Sequence, residues 1–223
     1  NEMNDIKNLY KNFDDILSKY KSIFDQKDII YKKTKDIEYI KKFVTKDINL
    51  MKDFMIDKNY LSIDNKEVSL TEKGYIASEI NECNELLLTE ILNEKIFNNL
   101  EIHEIICILS IFIEEKDNSF ENQSVSNLNI PSKIKDIFNW IGNKVCSLAD
   151  EEYNYKINIE TDWQLYLSFI EPIYYWALGW SIYEIHDKIC NIYDGNFIKN
   201  IIRIHNICEN LKTICDITKD DIL

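Results

Sequence analysis

Residues 70–110 read Leu70-Thr-Glu-Lys-Gly-Tyr-Ile-Ala-Ser-Glu-Ile80, Asn81-Glu-Cys-Asn-Glu-Leu-Leu-Leu-Thr-Glu-Ile-Leu92, Asn93-Glu-Lys-Ile-Phe-Asn-Asn-Leu100 and Glu101-Ile-His-Glu-Ile-Ile-Cys-Ile-Leu-Ser110. The apolar positions recur at helical spacing over about 71–81, 84–96 and 101–114. Most of these residues are leucines and isoleucines suited to a core, and Gly74 turns the chain from what precedes it into the first helix. Three consecutive helices with no strand pattern between them make the fold mainly α.

Outward from this stretch the same period persists. Further helices are expected over 132–150, 161–171, 172–178, 182–190 and 195–215. Pro172 should start the second of the paired apolar helices, and Ser181 after Gly179-Trp180 is a plausible N-cap. Asn118–Ser132 is polar and ends near Pro131, so it reads as a mobile loop, and Asp150–Asn158 reads as a second connection. On the N-terminal side, Tyr60-Leu-Ser-Ile-Asp-Asn-Lys-Glu-Val-Ser-Leu predicts two short strands around Asp64-Asn65. A helix, a hairpin and a further helix is the layout at the end of a winged-helix unit. Earlier still, Ile6 to Phe24 and Ile37 to Met55 each carry an apolar stripe, separated by a polar break at Asp25–Asp28. Such narrow seams on long charged helices suit a rod or stalk. The chain therefore divides into stalk-like helices over 1–45, the end of a winged-helix unit over 46–75 and a helical bundle over 76–223.

Composition agrees. The 223 residues are 45% hydrophobic, with 4 Gly and 2 Pro, too few for the turns of an all-β fold. A net charge of −13 argues against a basic nucleic-acid surface over the whole chain, though not against a local track. The six cysteines at 83, 107, 146, 190, 208 and 215 form no Cys-x-x-Cys pair. They read as buried, reduced thiols of an intracellular protein, with no zinc site. No signal peptide opens the chain and no apolar run has the length of a membrane span. The first residue is Asn rather than Met, as expected of a piece of a longer chain.

One helix stands out for chemistry. Over 195–215, at 100° per residue, Asn196, Lys199, Arg203, Asn206 and Asn210 share one stripe, and Ile201, Ile204, Cys208, Leu211 and Cys215 lie opposite. The helix thus presents a polar, locally cationic side without a carboxylate. From the pattern alone such a stripe is a solvated face. Glu114 and Glu115 end an apolar helix and read as an exposed loop pair. His103, His186 and His205 have no Asp or Cys at catalytic spacing and read as structural or solvent-facing. Tyr174, Tyr175, Trp176 and Trp180 read as core aromatics. No Gly-x-x-x-x-Gly-Lys-Ser/Thr loop and no Asp-Glu-x-His sequence is present, so nothing here cradles ATP or holds Mg.

The quoted stretch resembles the C-terminal (DSHCT) region of superkiller-type DExH-box RNA helicases, the exosome-cofactor family. Phe169-Ile-Glu-Pro-Ile-Tyr-Tyr-Trp-Ala-Leu-Gly-Trp-Ser-Ile-Tyr-Glu-Ile and Tyr193-Asp-Gly-Asn-Phe-Ile-Lys are similar to two further segments of that region, in the family's order. The likeness covers about Leu70 to Leu211. Residues 1–45 resemble the returning half of the family's arch stalk, and 46–70 the end of its winged helix, with fewer basic residues than usual.

The resemblance implies a ratchet-type bundle that closes the RNA channel of a 3′–5′ ATP-dependent RNA helicase feeding the exosome. It implies that 195–215 is the channel-lining helix. Arg203 stands at the family's RNA-facing arginine, Lys199 at a basic position, and Asn206 where the family carries glutamate. Glu115 stands where the family places acidic residues, one of which is implied to reach the RNA. A guanidinium at Arg203 can stack on a base and bond a phosphate or sugar. The implied partners are single-stranded RNA, the motor domains and exosome or adaptor proteins, without a membrane. ATP and Mg are expected in motor domains outside this chain, which alone should be inactive. The implied location is nuclear, with cytoplasmic as the alternative. A second reading, from the acidic surface and long N-terminal helices, is a helical module that binds a protein partner and no nucleic acid.

Overall fold

A computed structural model describes residues 12–114, 124–157, 161–189 and 193–218. Among these the chain is mainly helical, with one two-stranded antiparallel sheet. It divides into two units, Asn1–Leu50 and Met51–Leu223.

Helix α1 runs from Phe13 to Asp57. Its residues as far as Leu50 make up the first unit. The break expected at Asp25–Asp28 is absent. The segment Asp25-Gln-Lys-Asp28 holds no Gly or Pro, and Lys32 pairs with Asp28 one turn away at 2.9 Å. Polarity alone does not stop a helix. Asp14 and Asp15 in the first turn complement its dipole. Ile16, Ile23, Ile30, Ile37 and Val44 recur every seven residues and all stand exposed. That spacing is the seam of a coiled coil.

The second unit begins with the last turns of α1. Asn59, at φ 61°, turns the chain into β1 (Leu61–Asp64), which pairs with β2 (Glu67–Leu70). Asn65 and Lys66 both have positive φ (48° and 72°), the signature of a type I′ hairpin turn. The register Leu61↔Leu70 and Ile63↔Val68 puts four apolar side chains on one face and Ser62, Asp64, Glu67 and Ser69 on the other. The root of the hairpin is tightly bonded. Tyr60 N donates to Met55 O at 2.8 Å, Thr71 N donates to Tyr60 O at 3.1 Å, and Thr71 Oγ1 donates to Asn59 O at 2.6 Å.

Thr71 then caps α2 (Glu72–Ser78) by accepting from Gly74 N. Gly74 is ordinary helix, not a turn residue. It is glycine because a Cβ there would overlap the Tyr60 carbonyl oxygen. Asn84 caps α3 (Glu85–Asn93), whose Leu87, Leu88 and Ile91 are fully buried. Each such side chain contributes about 1.5–3 kcal/mol. Helix α4 (Ile102–Leu109) starts on a Glu101/Glu104 capping box and ends in a 3₁₀ turn, Ser110–Phe112, so the expected helix over 101–114 is shorter and tightens at its end.

The remaining helices are α5 (Ser132–Tyr155), α6 (Ile170–Ala177), α7 (Ile182–Lys188) and α8 (Asp194–Thr218). Helices α3 to α8 all contribute to one apolar core. A smaller cluster of Phe54, Tyr60, Ala77 and Leu86 lies under the hairpin root.

Three other expectations change. Helix α5 continues to Tyr155 through the expected connection, stopping only where Lys156 turns left-handed. Helix α6 begins at Ile170, so Pro172 lies inside its first turn rather than at its start. The helix expected over 161–171 is instead extended chain as far as Leu167. Trp163, Leu165 and Leu167 alternate inward onto the core, and Tyr166 N donates to Ile111 O at 3.0 Å. Trp163 Nε1 donates to Glu152 at 2.5 Å, fixing the segment to α5. Of the expected 118–132 loop, residues 118–123 lie outside the described residues, and the remainder holds a 3₁₀ turn at Val125–Asn127.

Of the described cysteines only Cys107 is buried. Cys83, Cys208 and Cys215 are half-buried and Cys146 is exposed, against the expectation of buried thiols throughout. Tyr174 and Tyr175 are core, whereas Trp176 is exposed and Trp180 packs on Tyr175 with ring centroids 4.7 Å apart.

Candidate functional site

Helix α8 positions the residues singled out for chemistry. Its buried side is Phe197, Asn200, Ile204, Ile207, Leu211 and Ile214. This is rotated from the expected apolar stripe, leaving Ile201, Cys208 and Cys215 half-buried on one shoulder. The polar stripe becomes the other shoulder and not the far side. Arg203 and Asn206 are therefore half-buried, and Lys199 is exposed. The far side is Ile198, Ile202, His205 and Glu209, all exposed.

Arg203 enters a cleft of about 530 Å³ walled by Met51, Met55, Cys83, Phe112 and Tyr166. Its Nη1 donates to the Glu114 carbonyl oxygen at 3.5 Å. The cleft also holds Glu82, Glu85, Glu114 and Asp162. Arg203 is the one cationic side chain among the described residues that line it. Arg203 thus faces carboxylates from the α2–α3 connection (Glu82), the start of α3 (Glu85), the chain after α4 (Glu114) and the segment at Asp162.

The far wall is rigidly built. Asn84 accepts from Leu87 N at 2.8 Å as the α3 cap and donates to Asp162 O at 2.7 Å. Asp162 Oδ1 accepts from Gln164 N, and its Oδ2 accepts from Tyr166 Oη, both at 3.0 Å. Burial, the Asp162 hydrogen bond and Glu114 push the Tyr166 hydroxyl up to about 12, with Arg203 opposing. Burial, then Glu85 and Glu82, push the Cys83 thiol up to about 12. Both shifts favour the neutral forms, the hydroxyl and the thiol, at physiological pH.

Of the four residues expected to contact RNA (Lys199, Arg203, Asn206 and Glu115), Arg203 lines this cleft. Lys199 and Asn206 do not, and no hydrogen bond or ion pair holds either among the described residues. Glu115 lies outside the described residues, while its neighbour Glu114 is in the cleft. Asn210, from the same stripe, accepts from Asn81 N at 3.2 Å and holds α8 to the connection before α3. The residues missed were Asp162, Tyr166 and Met55. The alternation Trp163, Leu165, Leu167 is the signal that an extended wall, not a helix, carries Asp162 and Tyr166.

The histidines make no catalytic set. His186 Nε2 bonds Asp194 Oδ1 at 2.6 Å, His103 tilts against Tyr174, and His205 is exposed. Among the described residues no group of three His, Cys, Asp or Glu is placed to hold a metal, and no helix is long and apolar enough to cross a membrane. Gly74 and Gly142 lie inside α2 and α5, Gly195 in the first turn of α8 and Gly179 in a turn between helices, so none opens a strand-to-helix phosphate loop.

The described residues thus form a helical bundle entered through a small hairpin, with a cleft at the shoulder of its long C-terminal helix. The chain belongs to the DSHCT (NUC185) domain family, whose model matches residues 67–223. It is 26% identical over 152 residues to the exosome RNA helicase MTR4 of Homo sapiens, covering 66% of this chain and 13% of the human protein. It is 28% identical over 143 residues to an uncharacterised helicase of Schizosaccharomyces pombe, covering 63% and 13%. It is 25% identical over 143 residues to the DExH-box ATP-dependent RNA helicase DExH9 of Arabidopsis thaliana, covering 62% and 14%. The chain spans about an eighth of the length of these curated relatives.

Proposed function

We propose that this chain is the C-terminal region of an ATP-dependent RNA helicase of the exosome-cofactor type, and that its bundle closes the RNA channel over two motor domains. The observation that supports this best is Arg203, the lone described cation of a preorganised cleft on the long helix of a DSHCT domain. Its guanidinium edge is held by the Glu114 carbonyl, leaving a planar face to stack on an unpaired base. The surrounding carboxylates disfavour phosphate, so the grip is base- and sugar-directed and weakly salt-dependent. Lys199, exposed on the same shoulder, offers one backbone contact, and Asn206 lies about one turn beyond Arg203 on that shoulder.

In this reading ATP and Mg act in the motor domains, and the chain alone neither hydrolyses ATP nor unwinds RNA. Its partners are single-stranded RNA, those motors and exosome or adaptor proteins, in the nucleus, with the cytoplasm as the alternative. Helix α1 is the returning half of a stalk and its isoleucine seam packs on the outgoing half. The α1 end and hairpin complete a winged-helix unit.

The test is Arg203→Ala in the full-length helicase. RNA affinity should fall about tenfold, the scale of losing one base-stacking side chain, and RNA-stimulated ATPase and unwinding should fall with it. Unchanged unwinding and ATPase would remove Arg203 from the channel and favour a helical module for a protein partner.

A further inference from the structure

The hairpin, α2 and the last turns of α8 enclose a groove of about 370 Å³, apart from the Arg203 cleft. Leu70, Tyr75, Ile76 and Ile217 line it over the buried Ile214. Leu70, Tyr75 and Ile217 are each about half exposed, at 47%, 51% and 46%. The apolar surface continues along the hairpin, because Ile63 and Val68 share the face of Leu70 and are also exposed. A contiguous apolar patch of this kind marks a docking surface rather than scattered surface residues. A two-stranded hairpin with one bare apolar face is also marginal by itself.

The rim says what docks. Glu72 and Glu79 stand on either side of Tyr75 and Ile76 in the lining, and neither carries an ion pair among the described residues. Positions 72, 75, 76 and 79 are i, i+3, i+4 and i+7, one helical face, with the two carboxylates about 10 Å apart along the axis. No cation lines the groove among the described residues. The nearby Lys73 directs its ammonium away, to Glu90 at 2.5 Å and Lys58 O at 3.1 Å.

We infer that this groove binds a short basic amphipathic helix of a partner protein. Apolar side chains from successive turns fill the groove, and a Lys or Arg at each end of that stripe pairs with Glu72 and Glu79. The mode is helix-in-groove recognition. The two rim carboxylates, without an ion pair among the described residues, repel the phosphates of single-stranded RNA. A second copy would bring one acidic rim against another. The net charge of −13 attracts a cationic segment at long range.

The probe is a fluorescent peptide helix with two leucines between arginines two turns apart, titrated into the 223-residue chain and followed by anisotropy. Micromolar binding that weakens with salt is expected. Ile217→Ser and the double reversal Glu72→Lys with Glu79→Lys should each weaken it about tenfold. Circular dichroism serves as the folding check, since all three positions are surface-exposed or on the rim. A peptide with glutamates replacing the arginines should fail on the natural chain and bind the double reversal. Arg203→Ala should leave peptide binding unchanged, so this inference and the RNA reading fail independently. Equal binding of both peptides, displacement by oligo-adenylate, or a doubled mass in sedimentation abolished by Ile217→Ser would overturn the assignment.

Discussion

Glu90→Ala is expected to lower the stability of the second unit by about 3–5 kcal/mol, the cost of breaking a buried charge cluster by removing one partner. Glu90 is 4% exposed on α3. It accepts from Lys73 Nζ at 2.5 Å, Lys144 Nζ at 2.8 Å and Tyr60 Oη at 3.0 Å. One carboxylate therefore joins α2, α5 and the hairpin root to α3. Alanine would leave two poorly hydrated ammonium groups facing each other. Glu90→Gln keeps the shape and the tyrosine bond, so it should cost less.

The cluster also sets an acid limit. Burial pulls the Glu90 carboxyl up, but hydrogen bonds and charge from Lys144 and Lys73 outweigh it and hold the group below its ordinary value of 4.5. A depressed carboxyl contributes stability that is complete above the unfolded value and lost as pH falls through the folded one. The urea midpoint of the natural chain should therefore drop below about pH 4.5. The Glu90→Gln chain should lose part of that slope. An unchanged slope would show that Glu104, also depressed through Lys133 and the Glu101 backbone, governs acid stability instead.

Gly74→Ala should destabilise by about 2–3 kcal/mol, although alanine is normally the better helix former by about 0.5–1 kcal/mol. The new methyl would overlap the Tyr60 carbonyl oxygen and crowd Leu70 Cδ2. Relief requires α2 to move off the hairpin root, stretching the Thr71 N to Tyr60 O bond. Gly142 in α5 is the control, since a Cβ there meets nothing within 4 Å. Gly142→Ala should raise the denaturation midpoint. The opposite signs at two helical glycines separate close approach from helix propensity; a stabilised Gly74→Ala chain would refute it.

These two sites show where the sequence was readable. The hairpin was legible because Asp64-Asn65-Lys66 sits between two alternating runs, and the structure moves the turn by only one residue, to Asn65-Lys66. The helices at 72, 85, 102, 132 and 182 were legible because their starts coincide with polar caps or Pro ahead of apolar periodicity. Gly74 was read as a turn because a close backbone approach leaves no mark on neighbouring residues. The break at Asp25–Asp28 was read from polarity, which an exposed helix tolerates.

Arg203 was found through the resemblance, whereas its setting was not. The rotation of α8 follows from Phe197, Ile207 and Ile214, whose burial depends on what packs against them. The acidic wall comes from Glu82, Glu85, Glu114 and Asp162, distant in sequence and close only after folding.

The Tyr60 carbonyl, described above as the reason for a glycine, also governs how the hairpin exchanges its amide hydrogens. It accepts from the Thr71 amide at 3.1 Å and takes the longer arm, also 3.1 Å, of the Thr71 hydroxyl bond shared with Asn59 O. The strands beyond it are largely exposed. Protection should accordingly rise from the tip at Asn65 towards Thr71, whose amide should exchange only when α2 itself opens. The hairpin then frays outward from a fixed base, supplying a lever whose far end moves in nanoseconds to microseconds while its hinge holds for as long as the domain is folded.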